Sequence, residues 1–124
     1  PVMLSAENIA NGDGDYGYIV RVKWDEKLFS VEGNASAFVM TDSDNVSYGC
    51  TAISKISDRE LELSFQNFNN AIGTVTVSYA PGTMMGEVIA VSAGTVSFAP
   101  SGLVPFAVDP PVPVSAYNTI DWEA

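Results

Sequence analysis

The stretch Glu60-Leu61-Glu62-Leu63-Ser64-Phe65-Gln66 decides the fold class. Its apolar residues Leu61, Leu63 and Phe65 occupy every second position, with Glu60, Glu62, Ser64 and Gln66 between them. Successive side chains of a strand point to opposite faces, so a period of two sets one face against a core and the other toward water. Two further stretches repeat the pattern. Tyr18, Val20, Val22 and Trp24 alternate with Ile19, Arg21 and Lys23, and Val75, Val77 and Tyr79 alternate with Thr74, Thr76 and Ser78. In each, the first set is expected on the core face.

Working outward, Val2–Glu7 reads as a first strand and Ala37–Thr41 as a short one. Val46–Ile56 is a long strand with a bend at Gly49, and Glu87–Phe98 another that Gly94 divides or kinks, since glycine inside a strand marks a bulge or bend. Asp25–Ala37 breaks the alternation and is expected to hold a loop or one helical turn. Asn11-Gly12-Asp13-Gly14-Asp15, Asp42-Ser43-Asp44-Asn45, Asn67–Gly73 and Pro81-Gly82 are turn chemistry. No long amphipathic helix can be drawn. Seven to eight short strands between such turns predict an all-β antiparallel sandwich or barrel over residues 1–104, and the sandwich is the expected form. Pro100–Ala124 carries five prolines, which remove backbone donors and keep a chain extended. Residues 105–124 therefore read as a Pro-rich extension, with room for a final strand over Ser115–Trp122 that could dock on the domain, open a following domain or pair with a partner chain.

Composition supports folding and narrows function. The 124 residues are 47% hydrophobic and 16% charged, well away from the disordered corner of composition. Fifteen acidic residues face five basic ones, and the net charge is -10. Nucleic-acid binding draws on Lys and Arg neutralising phosphates, so the balance argues against it, and against anionic membrane surfaces too. No apolar stretch approaches the roughly 20 residues of a membrane span. Cys50 is the sole cysteine, which rules out an intrachain disulfide. The start at Pro1 fits both loss of an initiator Met and excision from a longer polypeptide.

Catalytic chemistry is scarce. Without His, the Ser-His-Asp and Cys-His arrangements cannot be built. No Gly-rich phosphate loop with a Lys is present. Only carboxylates remain, Asp25-Glu26 and Glu60/Glu62 by residue type, and the expectation is that the chain is not an enzyme. Asn11, Asp13 and Asp15 form the one candidate metal constellation, since alternating oxygen-bearing side chains can wrap Ca²⁺. Asp42 and Asp44 would join them if the two turns met in space. The EF-hand pattern is not satisfied, and no other cofactor is implied. Tyr16, Tyr117 and Trp122, in turn or tail positions, are the candidate stacking platforms for a glycan, whereas Trp24 and Tyr79 belong to core faces. Asn34-Ala35-Ser36 and Asn45-Val46-Ser47 are glycosylation sequons.

The order of motifs resembles a known family. Pro1–Ala6 is followed by Ile19-Val20-Arg21-Val22-Lys23-Trp24-Asp25-Glu26-Lys27-Leu28, then Ser36-Ala37-Phe38-Val39, Glu60-Leu61-Glu62-Leu63 and Gly73-Thr74-Val75-Thr76-Val77-Ser78-Tyr79. This is similar to the bacterial immunoglobulin-like repeats of large surface proteins, including the cyanobacterial swimming-motility type, and to related modules of phage structural proteins. Val75, Val77, Tyr79 and Gly82 match the family's closing strand. The resemblance spans residues 1–104 and implies an immunoglobulin-like sandwich. It further implies a non-catalytic module that spaces, displays or adheres, on a virion or at a cell surface. The Pro-rich extension of residues 105–124 departs from the family, and it is the segment through which a protein partner or self-assembly is expected. A single copy favours a small virion component or an excised domain over a long adhesin stalk. The alternative is a carbohydrate- or calcium-binding sandwich.

Overall fold

In the computed structural model, which describes residues 1–11, 14–80 and 82–102, the alternating stretches become strands. These are β1 (Met3–Ile9), β2 (Ile19–Trp24), β3 (Leu28–Ser30), β4 (Phe38–Thr41), β5 (Ser47–Ser57), β6 (Glu60–Phe65), β7 (Val75–Tyr79), β8 (Met85–Gly86) and β9 (Gly94–Phe98). One turn of 3-10 helix, Ala35–Ala37, supplies the helical turn expected within 25–37. No helix among the described residues is long and apolar enough to cross a membrane.

The all-β reading holds, but the layers differ from two separate sheets. Seven strands form one antiparallel sheet in the order β1-β2-β6-β5-β4-β7-β9, and β3 and β8 form a two-stranded ribbon. Strand β5 is the reason. Its eleven residues change neighbour midway, pairing Ser47–Gly49 with β4 and Cys50–Ser57 with β6. The bend expected at Gly49 falls at that exchange, and the register slips just beyond it, between Cys50 and Ala52. Gln66 caps the junction: Gly49 N–H donates to Gln66 Oε1 at 3.0 Å, and Gln66 N–H donates to Gly49 O at 3.2 Å.

Six antiparallel pairings in succession leave the two outermost strands, β1 and β9, running the same way. The sheet curls until these edges meet, giving a nearly closed barrel. Inward positions make its core. Val20, Val22 and Trp24 of β2, Leu61, Leu63 and Phe65 of β6, and Val75, Val77 and Tyr79 of β7 are all buried. Each such side chain contributes about 1.5–3 kcal/mol by leaving water. Phe38 lies edge-on to Trp24 with ring centroids 6.2 Å apart, and 5.0 Å from Tyr79. Phe68, Ala71, Met84 and Val91 complete the core from loops.

Two expectations are corrected. Tyr18 is 52% exposed rather than on the core face. Gly17 before it has φ +83, a conformation that turns the chain, so regular alternation begins only at Ile19. Glu87–Phe98 is not one strand: Gly86 N–H donates to Ile89 O at 2.7 Å, folding a tight turn, and β9 starts at Gly94. Residues 105–124, with the strand expected over Ser115–Trp122, lie outside the described residues.

Candidate functional site: the two poles of the barrel

Strand register separates the molecule into two ends. Met3 opposes Trp24 and Lys23 opposes Glu60 at one, whereas Ile9 opposes Ile19 and Cys50 opposes Phe65 at the other. Pro1 lies at the first, the near pole; its carbonyl accepts from Ser92 N–H at 2.9 Å. The last described residue, Gly102, lies against Gly14 at the far pole. The six residues of β2 set the poles about 20 Å apart.

The far pole gathers the acidic turns. Asn11 N–H donates to Asp15 O at 3.0 Å, and Asp15 Oδ1 accepts from Gly17 N–H at 2.8 Å. That backbone donor, aided by the Asn69 side chain, holds the Asp15 carboxyl below the usual carboxylate range. Asp13, Tyr117 and Trp122 lie outside the described residues. Tyr16 is half-buried and stacks on Phe68 at 6.0 Å, while its N–H donates to Asn69 Oδ1 at 2.7 Å. One face of its ring is therefore used within the domain.

Asp42 has a role that its sequence context does not reveal. It is 6% exposed. Its Oδ1 accepts from Asp44 N–H at 2.9 Å and Val46 N–H at 3.0 Å; its Oδ2 accepts from Ile72 N–H at 3.1 Å and the Tyr48 hydroxyl at 3.3 Å. Burial pushes this carboxyl up, but the backbone donors of Val46, Ile72 and Asp44 outweigh it and hold the group below the usual range. Burial, with the Asp42 charge beside it, pushes the Tyr48 hydroxyl up. Through Asn69 and Ile72, the loop of residues 67–73 ties both acidic turns to one pole. Among the described residues, no three Asp, Glu, His or Cys side chains gather as a metal site.

The near pole is built differently. A cleft of about 420 Å³ opens there, lined by Pro1, Glu26, Lys27, Arg59, Val88 and Ile89, with Glu87 beside them. Val88 is 86% exposed. The Asp25 and Glu26 carboxylates brace this pole: Asp25 Oδ1 accepts from Val2 N–H at 2.8 Å, and Glu26 Oε1 lies 3.2 Å from the Pro1 nitrogen. Arg59 donates to Asp25 O at 3.0 Å. Glu60 and Glu62 stand on the outer face of the sheet, where Glu62 pairs with Arg21 at 2.6 Å and Glu60 accepts from the Ser57 hydroxyl at 3.2 Å.

The remaining sequence candidates are also placed. Asn34 is buried, and its amide nitrogen donates to Val31 O, Glu32 O and Thr83 Oγ1, so this sequon is closed in the folded chain; Asn45 is exposed. Cys50 is half-buried against the core, and burial pushes its thiol up.

No protein-family model matches the chain, and no curated protein matches it in sequence. Among solved structures, its fold is similar to the N-terminal part of the bacterial S-layer protein SbsC, with a TM-score of 0.61 and 12% identity over 79% of this chain. The chain spans 23% of the length of that structure.

Proposed function

We propose that this domain is a non-catalytic structural module of a bacterial surface, acting as a stiff spacer. The observation that carries the reading is the course of the chain through the barrel. Pro1 and Gly102 lie at opposite poles, and the outermost strands β1 and β9 run parallel between them. Load applied along that axis meets sheet hydrogen bonds lying across it, so many bonds must fail together. The likeness to part of a bacterial S-layer protein favours a cell-surface setting over a virion. An immunoglobulin-like kinship, self-assembly and the absence of catalysis are parts of the same reading.

Surface location is the direct test. Intact producing cells are labelled with antibody against the domain and treated with protease. Labelling and cleavage on unbroken cells are expected. Protection until the cells are lysed would overturn the surface assignment.

A further inference from the structure

We infer that the loop of residues 67–73 is an acid-sensitive plug of the far pole, latched by the Asp42 carboxylate and released ahead of the barrel when that carboxylate takes up a proton. The loop belongs to no strand, yet it puts Phe68 and Ala71 into the core. Phe68 packs against rings of two other segments, with centroids 6.0 Å from Tyr16 and 6.4 Å from Tyr48. Its release uncovers an aromatic surface and breaks no ladder of the sheet.

The tethers of the loop run mainly through one turn. Ile72 N–H donates to Asp42 Oδ2 at 3.1 Å, Ser43 N–H donates to Ile72 O at 3.0 Å, and Thr74 N–H donates to Ser43 Oγ at 3.1 Å. Asp42 Oδ1 fixes that same turn through Asp44 N–H and Val46 N–H. One buried carboxylate thus accepts four hydrogen bonds, from the turn, from Tyr48 and from the loop. Three of the four donors are backbone N–H groups, which cannot accept a bond from the protonated acid. Protonation therefore loosens Ile72 and the turn that carries Ser43 together. The remaining tether is Asn69, whose Oδ1 accepts from Tyr16 N–H at 2.7 Å. Among the described residues, the titratable groups facing Asp42 are Asp44, exposed in the same turn, and Tyr48; the loop itself carries none. Asp15 faces the loop from the first acidic turn, where its carboxylate meets the Asn69 side chain. The backbone donors outweigh burial and hold the Asp42 carboxyl below the usual range. The latch is therefore complete above about pH 5 and is lost as pH falls through the folded value.

The inference goes beyond the structural reading of the domain and does not rest on it. Amide hydrogen exchange of the full chain is followed by mass spectrometry from pH 7 to pH 2.5, each rate divided by that of the unfolded chain at the same pH. Residues 66–74 are expected to lose at least about tenfold in protection between about pH 5 and pH 3, with β6 and β7 still protected. Tyr48→Phe withdraws one donor from Asp42 and leaves the ring in place, so its loop should open at a higher pH than that of the wild type. Asp15→Asn and Asp44→Asn should leave the release in place. Asp42→Asn should show an open loop already at pH 7, with little further change on acidification. The Tyr48→Phe comparison decides the matter where Asp42→Asn does not fold. A loop that loses protection only together with β6 and β7 would overturn the proposal. So would an unshifted Tyr48→Phe, or a release abolished by Asp15→Asn or Asp44→Asn.

Discussion

Asn8 and Ser101, 93 positions apart, exchange two hydrogen bonds that clasp the edge strand β1 to the segment following β9. Asn8 Nδ2 donates to Ser101 O at 2.8 Å, and Ser101 N–H donates to Asn8 Oδ1 at 2.9 Å. The same Nδ2 donates to Tyr16 O at 2.9 Å, bringing the first acidic turn into the clasp. An open sheet exposes unpaired edges that invite unwanted pairing, and drawing β1 against β9 covers both. Asn8→Ala removes all three bonds and is expected to cost about 1–3 kcal/mol. Hydrogen exchange should lose protection first in β1 and β9. An unchanged melting temperature with unchanged exchange at these strands would show that the clasp does not hold the edges.

The pH dependence follows from Asp42. Its folded pKa lies below the unfolded value of about 3.9, so its contribution is fully present above that value and is lost as pH falls through the folded pKa. Asp15 acts with the same sign. Asp42→Asn replaces acceptors with an amide that turns a donor toward backbone N–H groups, so melting temperature at neutral pH should fall. The gap between wild type and variant should stay level above about pH 5 and narrow below about pH 4. Thermal melts from pH 7 to pH 2.5, plotted as that gap, check the prediction. A gap that widens on acidification would contradict it.

Gly17 and Gly14 separate conformation from space. Both have positive φ, +83 and +80, but a Cβ on Gly17 would meet the carbonyl oxygen of Ile9, whereas among the described residues nothing lies within 4 Å of one on Gly14. Gly14→Ala is expected to cost about 1 kcal/mol from backbone conformation alone. Gly17→Ala should cost clearly more, because the β1 end must shift. Chemical denaturation of both variants gives the comparison, and equal costs would refute the close approach.

Much of the barrel is legible because burial follows the strand period. Leu61, Leu63 and Phe65, and Val75, Val77 and Tyr79, announce their inward faces by alternation. Phe68, Met84 and Val91 do not, since they reach the core from loops with no period to read. Tyr18 misleads for the opposite reason: it continues an alternation in the sequence that Gly17 interrupts in the backbone. At the poles, the turn at Asp42-Ser43-Asp44-Asn45 is plain from residue type. That Asp42 also accepts from Ile72, 30 positions away, is a tertiary relation with no local signature. The near-pole cleft is of the same kind, formed where residues 26–27, 59 and 87–89 converge.

Leu63→Ala and Leu4→Ala test the alternation itself. Leu63 is fully buried, and truncating it should cost about 2–5 kcal/mol. Leu4 is 59% exposed on β1, and its truncation should stay within about 0.5 kcal/mol. Urea unfolding of the pair is sufficient. Similar costs would mean that the inward face is misassigned.

The spacer claim is tested most directly by pulling single molecules in two directions. Handles at the two chain ends load β1 and β9 along their length, in shear. In a Cys50→Ser background, a handle on Val88→Cys with the other at residue 1 places both attachments at the near pole, where β1 is peeled bond by bond. The account predicts a higher unfolding force end to end than from the near pole alone. An end-to-end force equal to or below the near-pole force would contradict it.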